Sequence, residues 1–581
     1  MFTDFLIDTL VGVIASSQNL RQVKENIYLD LLMKKILVAC LLFASAVTLA
    51  APSHISNVRG YTLDNSGELV RFSNMLFDGG KVIAIGGIEL NQRFSNATQI
   101  DGQNKVMLPG LIDAHGHVMG LGETLLQVDL RESKSALDAV KMVQAYAKTQ
   151  KDLAWITGRG WNQVLWPGKA YPTASLLDEY VNNKPVMLSR VDGHASWVNS
   201  KALEIAGITK DTLDPPGGKI VRDKQGNPTG VLIDNAESLM LKYLPKTSEA
   251  TLTAQLNAAG EHLLSEGITS VHDAGIDKVV YNYYKKRVAE HSLPLRIYPM
   301  IAATSADLMQ LLEAGHVQDQ YDWLSIRSVK VYGDGALGSR GAALLKPYSD
   351  DPDNKGLLVT REQDLKPLFD LVLGKQFQLN YHAIGDRTNR LALNQFADSF
   401  SRIGGKSLRN RVEHAQVINV DDIPRFKTLN IIPAMQPTHA TSDMNMAEDR
   451  VGVERLKGAY AWQTFLKQES PVAFGSDFPV ELANPFFGLH AAVTRQDRNN
   501  SPDEGWIPSE AVSVKQAFRG FTLDAAYAAH QEKILGSLTV GKWADFILID
   551  QDVFKISPQN IWKTQVLETW IAGEKRFTKA P

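Results

Sequence analysis

Leu108-Pro109-Gly110-Leu111-Ile112-Asp113-Ala114-His115-Gly116-His117 is the stretch that decides how this chain folds. The apolar run at 106–114 reads as a buried strand, and it ends on two histidines two positions apart. Side chains two apart on a strand point the same way. Both imidazoles are therefore expected to face the same opening at the strand's C-terminal end.

Further strands of the same kind follow along the chain. Apolar, β-prone runs recur at 269–274, 295–301, 327–332, 378–382, 410–414, 431–436 and 471–476. Segments with helical periodicity, such as 135–148, 249–266 and 364–373, lie between them. With the first run they make eight, the count of an α/β (β/α)8 barrel of the TIM type, expected at 109–532. Between the first and second runs lies an insertion at about 118–250, far longer than an ordinary βα loop. It leaves the barrel on the side where active sites of this architecture sit and is expected to cap that face.

Polar residues mark the same end of the other strands. Lys330 lies in the fourth run, His382 ends the fifth, His414 ends the sixth, and Asp477 follows the eighth. A lone histidine is more often a satisfied core or surface residue than a ligand. Four histidines and an aspartate, each at the catalytic end of a barrel strand, reverse that balance. Imidazole and carboxylate are the usual ligands of Zn and similar divalent ions.

The ends of the chain read differently. Residues 51–108 and 533–581 hold short strand-like runs broken by Asp78-Gly79-Gly80, Gly86-Gly87 and Gly541. Neither segment has enough strands to be stable alone, so together they are expected to form one small β-sandwich. Ahead of them, Met33-Lys34-Lys35 opens a short apolar run at 36–47. Thr48-Leu49-Ala50 then places small residues before Ala51-Pro52. This is the pattern of a signal peptide at 33–50, with 1–32 as an upstream extension and the mature protein exported to the periplasm or secreted. An uncleaved anchor is the alternative. Cys40, the only cysteine, falls in the segment removed, so the mature chain forms no disulfide.

Composition narrows the partners. Lys and Arg total 61 against 64 Asp and Glu, a net charge of −3, and nothing in that balance suggests a nucleic-acid or anionic-membrane partner. No stable membrane insertion is expected after cleavage. A small-molecule substrate is, and a homo-oligomer is compatible with the sequence.

The opening stretch resembles the start of the barrel in the amidohydrolase superfamily. The likeness extends from about residue 55 to 575, and Gly536-Ser537-Leu538 with Gly541-Lys542-Trp543-Ala544-Asp545 resembles that family's return into its sandwich. Lys330-Val331-Tyr332-Gly333-Asp334-Gly335-Ala336-Leu337-Gly338-Ser339-Arg340, Gln436-Pro437-Thr438-His439 and Gly475-Ser476-Asp477-Phe478-Pro479-Val480-Glu481 are more specific. They resemble the branch (amidohydrolase family 3) that holds N-substituted formamide deformylase and YtcJ-like proteins.

The resemblance implies a ligand set. His115 and His117 would share the more buried ion with Asp477, and His382 and His414 would hold a second. Lys330 would bridge the two if its amine is carboxylated; otherwise it pairs with Asp334 or Asp273. One ion or two, zinc above other divalent metals, stays open. A bound metal would make water acidic enough to ionise near neutrality. Asp477, the catalytic residue, would take up its proton and deliver it to the leaving nitrogen. Asp192-Gly193-His194 resembles a substrate-facing motif of the branch, so His194 is a substrate-binding candidate, as are Trp161, Arg340 and His439.

The reaction implied is hydrolysis of a non-peptide carbon–nitrogen bond in a small amide or N-substituted formamide. A mononuclear deaminase of the same superfamily would not need Lys330. A non-catalytic exported binding protein would have no chemical use for the ligand set.

Overall fold

The computed structural model describes residues 51–93, 96–190, 195–215, 218–245, 247–338 and 340–580. The segment read as signal peptide and upstream extension, and the candidate His194, lie outside them.

Eight parallel strands run β1 (Leu111–Gly116), β2 (Ile268–Ile276), β3 (Arg296–Ala302), β4 (Ser328–Tyr332), β5 (Gln378–Ala383), β6 (Arg411–His414), β7 (Ile432–Met435) and β8 (Ala473–Phe474), each paired with the next. The ring closes between its ends, where Gly116 bridges Phe478 and the Asp477 N–H donates to the His115 carbonyl at 2.6 Å. The result is a TIM-type barrel. Its strands are buried along nearly their whole length, because helices cover the outside and side chains fill the inside. Among the described residues no helix is long and apolar enough to cross a membrane.

The opening strand is two strands. The apolar run expected to be continuous from Val106 breaks at Gly110. Val106–Pro109 joins a different sheet, and only Leu111–Gly116 enters the barrel. The break sits at Gly110 because the chain passes tightly against β2 there. A Cβ at Gly110 would lie 2.2 Å from Thr269 Oγ1 and 2.4 Å from its Cγ2, and the Gly110 N–H is turned to the Asp545 carbonyl. Gly110→Ala is expected to destabilise the fold by about 1–3 kcal/mol through overpacking, read as a lower urea midpoint. Adding Thr269→Ala should recover part of the loss. An unchanged midpoint for the single variant would refute the close approach.

The sheet that Val106–Pro109 joins draws on both termini. Its order is Glu574–Thr578, Val566–Ile571, Phe546–Ile549, Val106–Pro109, Arg59–Leu63, Leu69–Phe72, and Phe546–Ile549 pairs antiparallel with Val106–Pro109. A second antiparallel set, Ser53–Ser56, Asn74–Asp78 and Lys81–Gly86, shares with it a core that includes Ile55, Met75, Phe77, Met107, Phe546 and Trp570. Arg296 on β3 ties the barrel to the C-terminal segment, with Nε 2.6 Å from Asp545 Oδ2.

Between β1 and β2 the chain builds a separate sheet in the order Gly218–Arg222, Pro228–Asp234, Ala195–Val198, Val186–Arg190, Ile156–Trp161, Val128–Asp129. It has its own core of Val128, Val140, Ile156, Trp161, Trp166, Leu188 and Trp197. Trp161, a substrate-binding candidate from the sequence, has its ring wholly buried against Trp166 and Trp197, and its Nε1–H donates to the Leu188 carbonyl at 2.7 Å. Its ring is part of what holds the inserted sheet together.

Candidate metal centre

The eighth strand is regular for only two residues, yet the turn after it is tightly fixed to β1. Asp113 accepts from the Ser476 hydroxyl at 2.7 Å, the Ser476 N–H at 3.1 Å and the His115 N–H at 3.1 Å. A Cβ at Gly475 would stand 2.5 Å from the His115 nitrogen and 2.6 Å from Asp113 Oδ1, so glycine lets the two strand ends meet. Asp477 (φ 64°) and His414 (φ 72°) both hold left-handed backbone, a region in which Asp and His are enriched over other residues with a Cβ.

Here the predicted residues come together. His117 Nε2 lies 3.1 Å and His115 Nε2 3.7 Å from Asp477 Oδ1. The other oxygen, Oδ2, lies 3.7 Å from His439 Nε2. Lys330 points into the barrel with Nζ 3.0 Å from His115 Nε2. The His414 ring sits 4.8 Å from that of His115, 4.5 Å from that of His382 and 5.8 Å from that of His439. Among the described residues, two groups stand at spacings that could hold an ion: His115, His117 and Asp477, and His414, His439 and Asp477. The second contains His439, which the sequence reading assigned to substrate, in place of His382. His382 turns Nε2 towards Asp334 Oδ1, 3.5 Å away, leaving Nδ1 on the other side of the ring.

The donor set fits a divalent cation. A histidine ligand usually has its outer nitrogen held by a second group, and that arrangement is present twice. His115 Nδ1 bonds Glu413 Oε2, and His414 Nδ1 bonds Gln436 Oε1 at 2.8 Å. In each case Nε2 faces the site. His439 Nε2 is buried with no hydrogen-bond partner among the described residues, an orphaned polar atom of the kind a ligand or ion satisfies.

Electrostatics agree with ligand-ready protonation. Burial, reinforced by the Lys330 charge, holds His115 well below the ordinary imidazole range and brings His382 down to about 3. Both are therefore neutral, as metal binding requires. Burial pushes the Asp477 carboxyl up, but the hydrogen bond from His117 leads the contributions that outweigh it and hold it below the usual range. Burial lowers the Lys330 amine to about 8. Neither acid expected as its alternative partner takes it. Asp273 accepts from the Val118 N–H and the Tyr284 hydroxyl, and Asp334 from three backbone N–H groups of Ala343, Ile384 and Gly385.

Arg340, a substrate-binding candidate from the sequence, pairs with Asp350, Nη2 to Oδ2 at 2.8 Å, and Arg450 reaches the same carboxylate. The pairing braces the loop after β4. Glu413, Arg411 and Asp113 were not singled out from sequence. The one signal available was the charged alternation Arg411-Val412-Glu413 inside an otherwise apolar barrel strand.

The amidohydrolase family model matches residues 98–577. The chain is 32% identical over 539 residues to the protein LONG AFTER FAR-RED 3 of Arabidopsis thaliana, covering 90% of this chain and 91% of that one. It is 31% identical over 532 residues to YtcJ of Bacillus subtilis (strain 168), covering 90% and 98%. It is 25% identical over 525 residues to an N-substituted formamide deformylase of Arthrobacter pascens, covering 87% and 95%. Among solved structures, a metal-dependent hydrolase of Pyrococcus horikoshii matches with a TM-score of 0.74 at 26% identity, covering 87% of this chain and 99% of that one.

Proposed function

Since the chain belongs to the amidohydrolase family, as a metal-dependent hydrolase of carbon–nitrogen bonds, we propose that it cleaves a small amide or N-substituted formamide at this barrel mouth. The observation that carries the reading is the convergence of His115, His117 and Asp477 on one point, with Lys330, His414 and His439 around it. The formamide deformylase among its relatives supports the choice of substrate class.

His115 and His117 with Asp477 would hold one ion, for which zinc is the choice that nitrogen and carboxylate donors favour. His382 and His414 would hold a second, with a carboxylated Lys330 between them. When bound, the metal supplies Lewis acidity, polarising the substrate carbonyl and making water ionise near neutrality. Asp477 moves the proton. Oδ1 is held by His117, so Oδ2 is the atom that accepts the proton of the attacking water and passes it to the leaving nitrogen, which leaves readily only once protonated. His439 Nε2 faces that oxygen and is unpartnered, a position from which it hydrogen-bonds the substrate. His439→Ala is expected to lower kcat/KM by about 10²-fold, as loss of one transition-state donor does, with metal content unchanged. Full activity in that variant would remove His439 from the mechanism.

A mononuclear deaminase is the second reading. It is favoured by the tight His115, His117, Asp477 group and by His382 facing Asp334. Assaying the metal-loaded protein on N-formyl and N-acyl amines beside amino-heterocycles separates the two. Release of an organic amine with a carboxylic acid supports the hydrolase, and ammonia the deaminase.

Two further readings rest on the sequence. Residues 51–108 and 533–581 act as one β-sandwich, supported by the shared sheet and core. The protein is exported after cleavage behind Ala50, supported by the basic, apolar and small-residue order of 33–50. Intact mass of the protein from its native host should give an N-terminus at Ala51. One upstream of Met33 would overturn the export reading.

A further inference from the structure

Resting on the metal-dependent reading above, we infer that Glu413, gripped by Arg411, is a positioning residue that fixes the tautomer and orientation of His115 and so sets how tightly the ion is held. Arg411 and Glu413 lie two apart on β6, on the side facing into the barrel, and both are fully buried. Glu413 Oε2 receives the His115 Nδ1–H. Arg411 Nη2 donates to the same oxygen at 2.9 Å and to the Ala114 carbonyl at 2.6 Å, while its Nε lies 2.7 Å from Glu413 Oε1. Its Nη1 is 2.9 Å from His272 Nδ1 on β2.

The sixth strand thus holds the first ligand at two points. Arg411 fixes the backbone just before His115, and Glu413 fixes its ring. A neutral imidazole carries one N–H. With that proton on Nδ1, the lone pair is on Nε2, the atom that faces Lys330 Nζ at 3.0 Å and Asp477 Oδ1 at 3.7 Å. A carboxylate behind a histidine also makes it a stronger donor to a metal. A buried anion would ordinarily be costly, and breaking a buried pair leaves an uncompensated charge. The guanidinium meets that requirement while keeping the carboxylate directed at His115. The pair therefore supplies an anionic partner to a ligand inside a barrel where no solvent reaches.

The test uses the full protein and two variants. Glu413→Gln keeps the shape and removes the charge. Arg411→Met combined with Glu413→Gln also removes the guanidinium that the single change leaves unpaired, so it decides the matter if the single variant does not fold. Zinc affinity is read by competition with a chromophoric chelator, ligand geometry by the visible spectrum of the cobalt-loaded protein, and packing by the melting midpoint of metal-free protein. The expected result is zinc binding weakened about 10–100-fold and an altered cobalt spectrum, with the metal-free double variant melting close to the metal-free parent. Native affinity with a native cobalt spectrum overturns this inference alone. So does weaker binding matched by collapse of the metal-free midpoint, which packing would explain. If the unsubstituted protein takes up neither zinc nor cobalt, the metal-dependent reading falls, and this inference with it.

Discussion

Asp477→Asn is expected to lower kcat by about 10²–10⁴-fold, the span that a positioned general acid–base contributes. The change is nearly isosteric, so the close fit of the strand-eight turn against β1, set by Gly475 and Asp113, is retained. An amide oxygen still serves as a neutral acceptor for His117. What the amide cannot do is take a proton from water and return it to nitrogen. The expected signature is therefore a collapse of kcat larger than any fall in metal content. Because the Asp477 carboxyl is held below the usual range, the parent's acid limb should not report its titration anywhere near neutrality. Activity within a few-fold of the parent at equal metal content would show that another group carries the proton, with His439 the next to examine.

Lys330→Ala is expected to cost at least about 10²-fold in turnover, since a metal contributes several kcal/mol of charge stabilisation. It should also remove the more weakly held equivalent of metal. Lys330 is 1% exposed, its Nζ lies against His115 Nε2, and its amine is lowered to about 8. A neutral amine can add to carbon dioxide and, on losing a proton to solvent, become a carboxylate that would serve as a cation ligand; an ammonium, having no lone pair, cannot. Activation of metal-free protein by metal should then need bicarbonate and slow as pH falls below about 8, where the amine is increasingly protonated. The space left by alanine should also let added acetate restore part of the activity. Bicarbonate independence, with full metal content in the variant, would favour the mononuclear deaminase.

Much of this arrangement is legible in the sequence, because barrel strands are local patterns. The 106–114 run, the recurring apolar segments and the polar residues at their ends each depend on a few consecutive residues, and period-two alternation alone turns His115 and its neighbours inward. What fails to show depends on distance. Nothing near Gly110 reveals that Thr269 blocks a side chain there, so the break between two sheets is invisible until β2 is in place. Glu413 is 298 positions from His115, and in sequence it reads as one more charge in a strand. Trp161 is a case of another kind. A tryptophan in an inserted segment suggests a pocket wall, and only the packed insertion shows that its ring also belongs to a core of its own. Arg340 sits in a family-like stretch, but its side chain is fixed by Asp350, a loop residue with no signal of its own.

A metal-dependent hydrolytic site at the barrel mouth must lose its activity with its ion. Metal content and amide hydrolysis are therefore measured on one purified preparation before chelation, after it and after zinc is returned. At least one equivalent of divalent ion is expected, with loss of hydrolysis when it is removed and recovery when it is restored. Hydrolysis undiminished in metal-free protein would contradict that dependence.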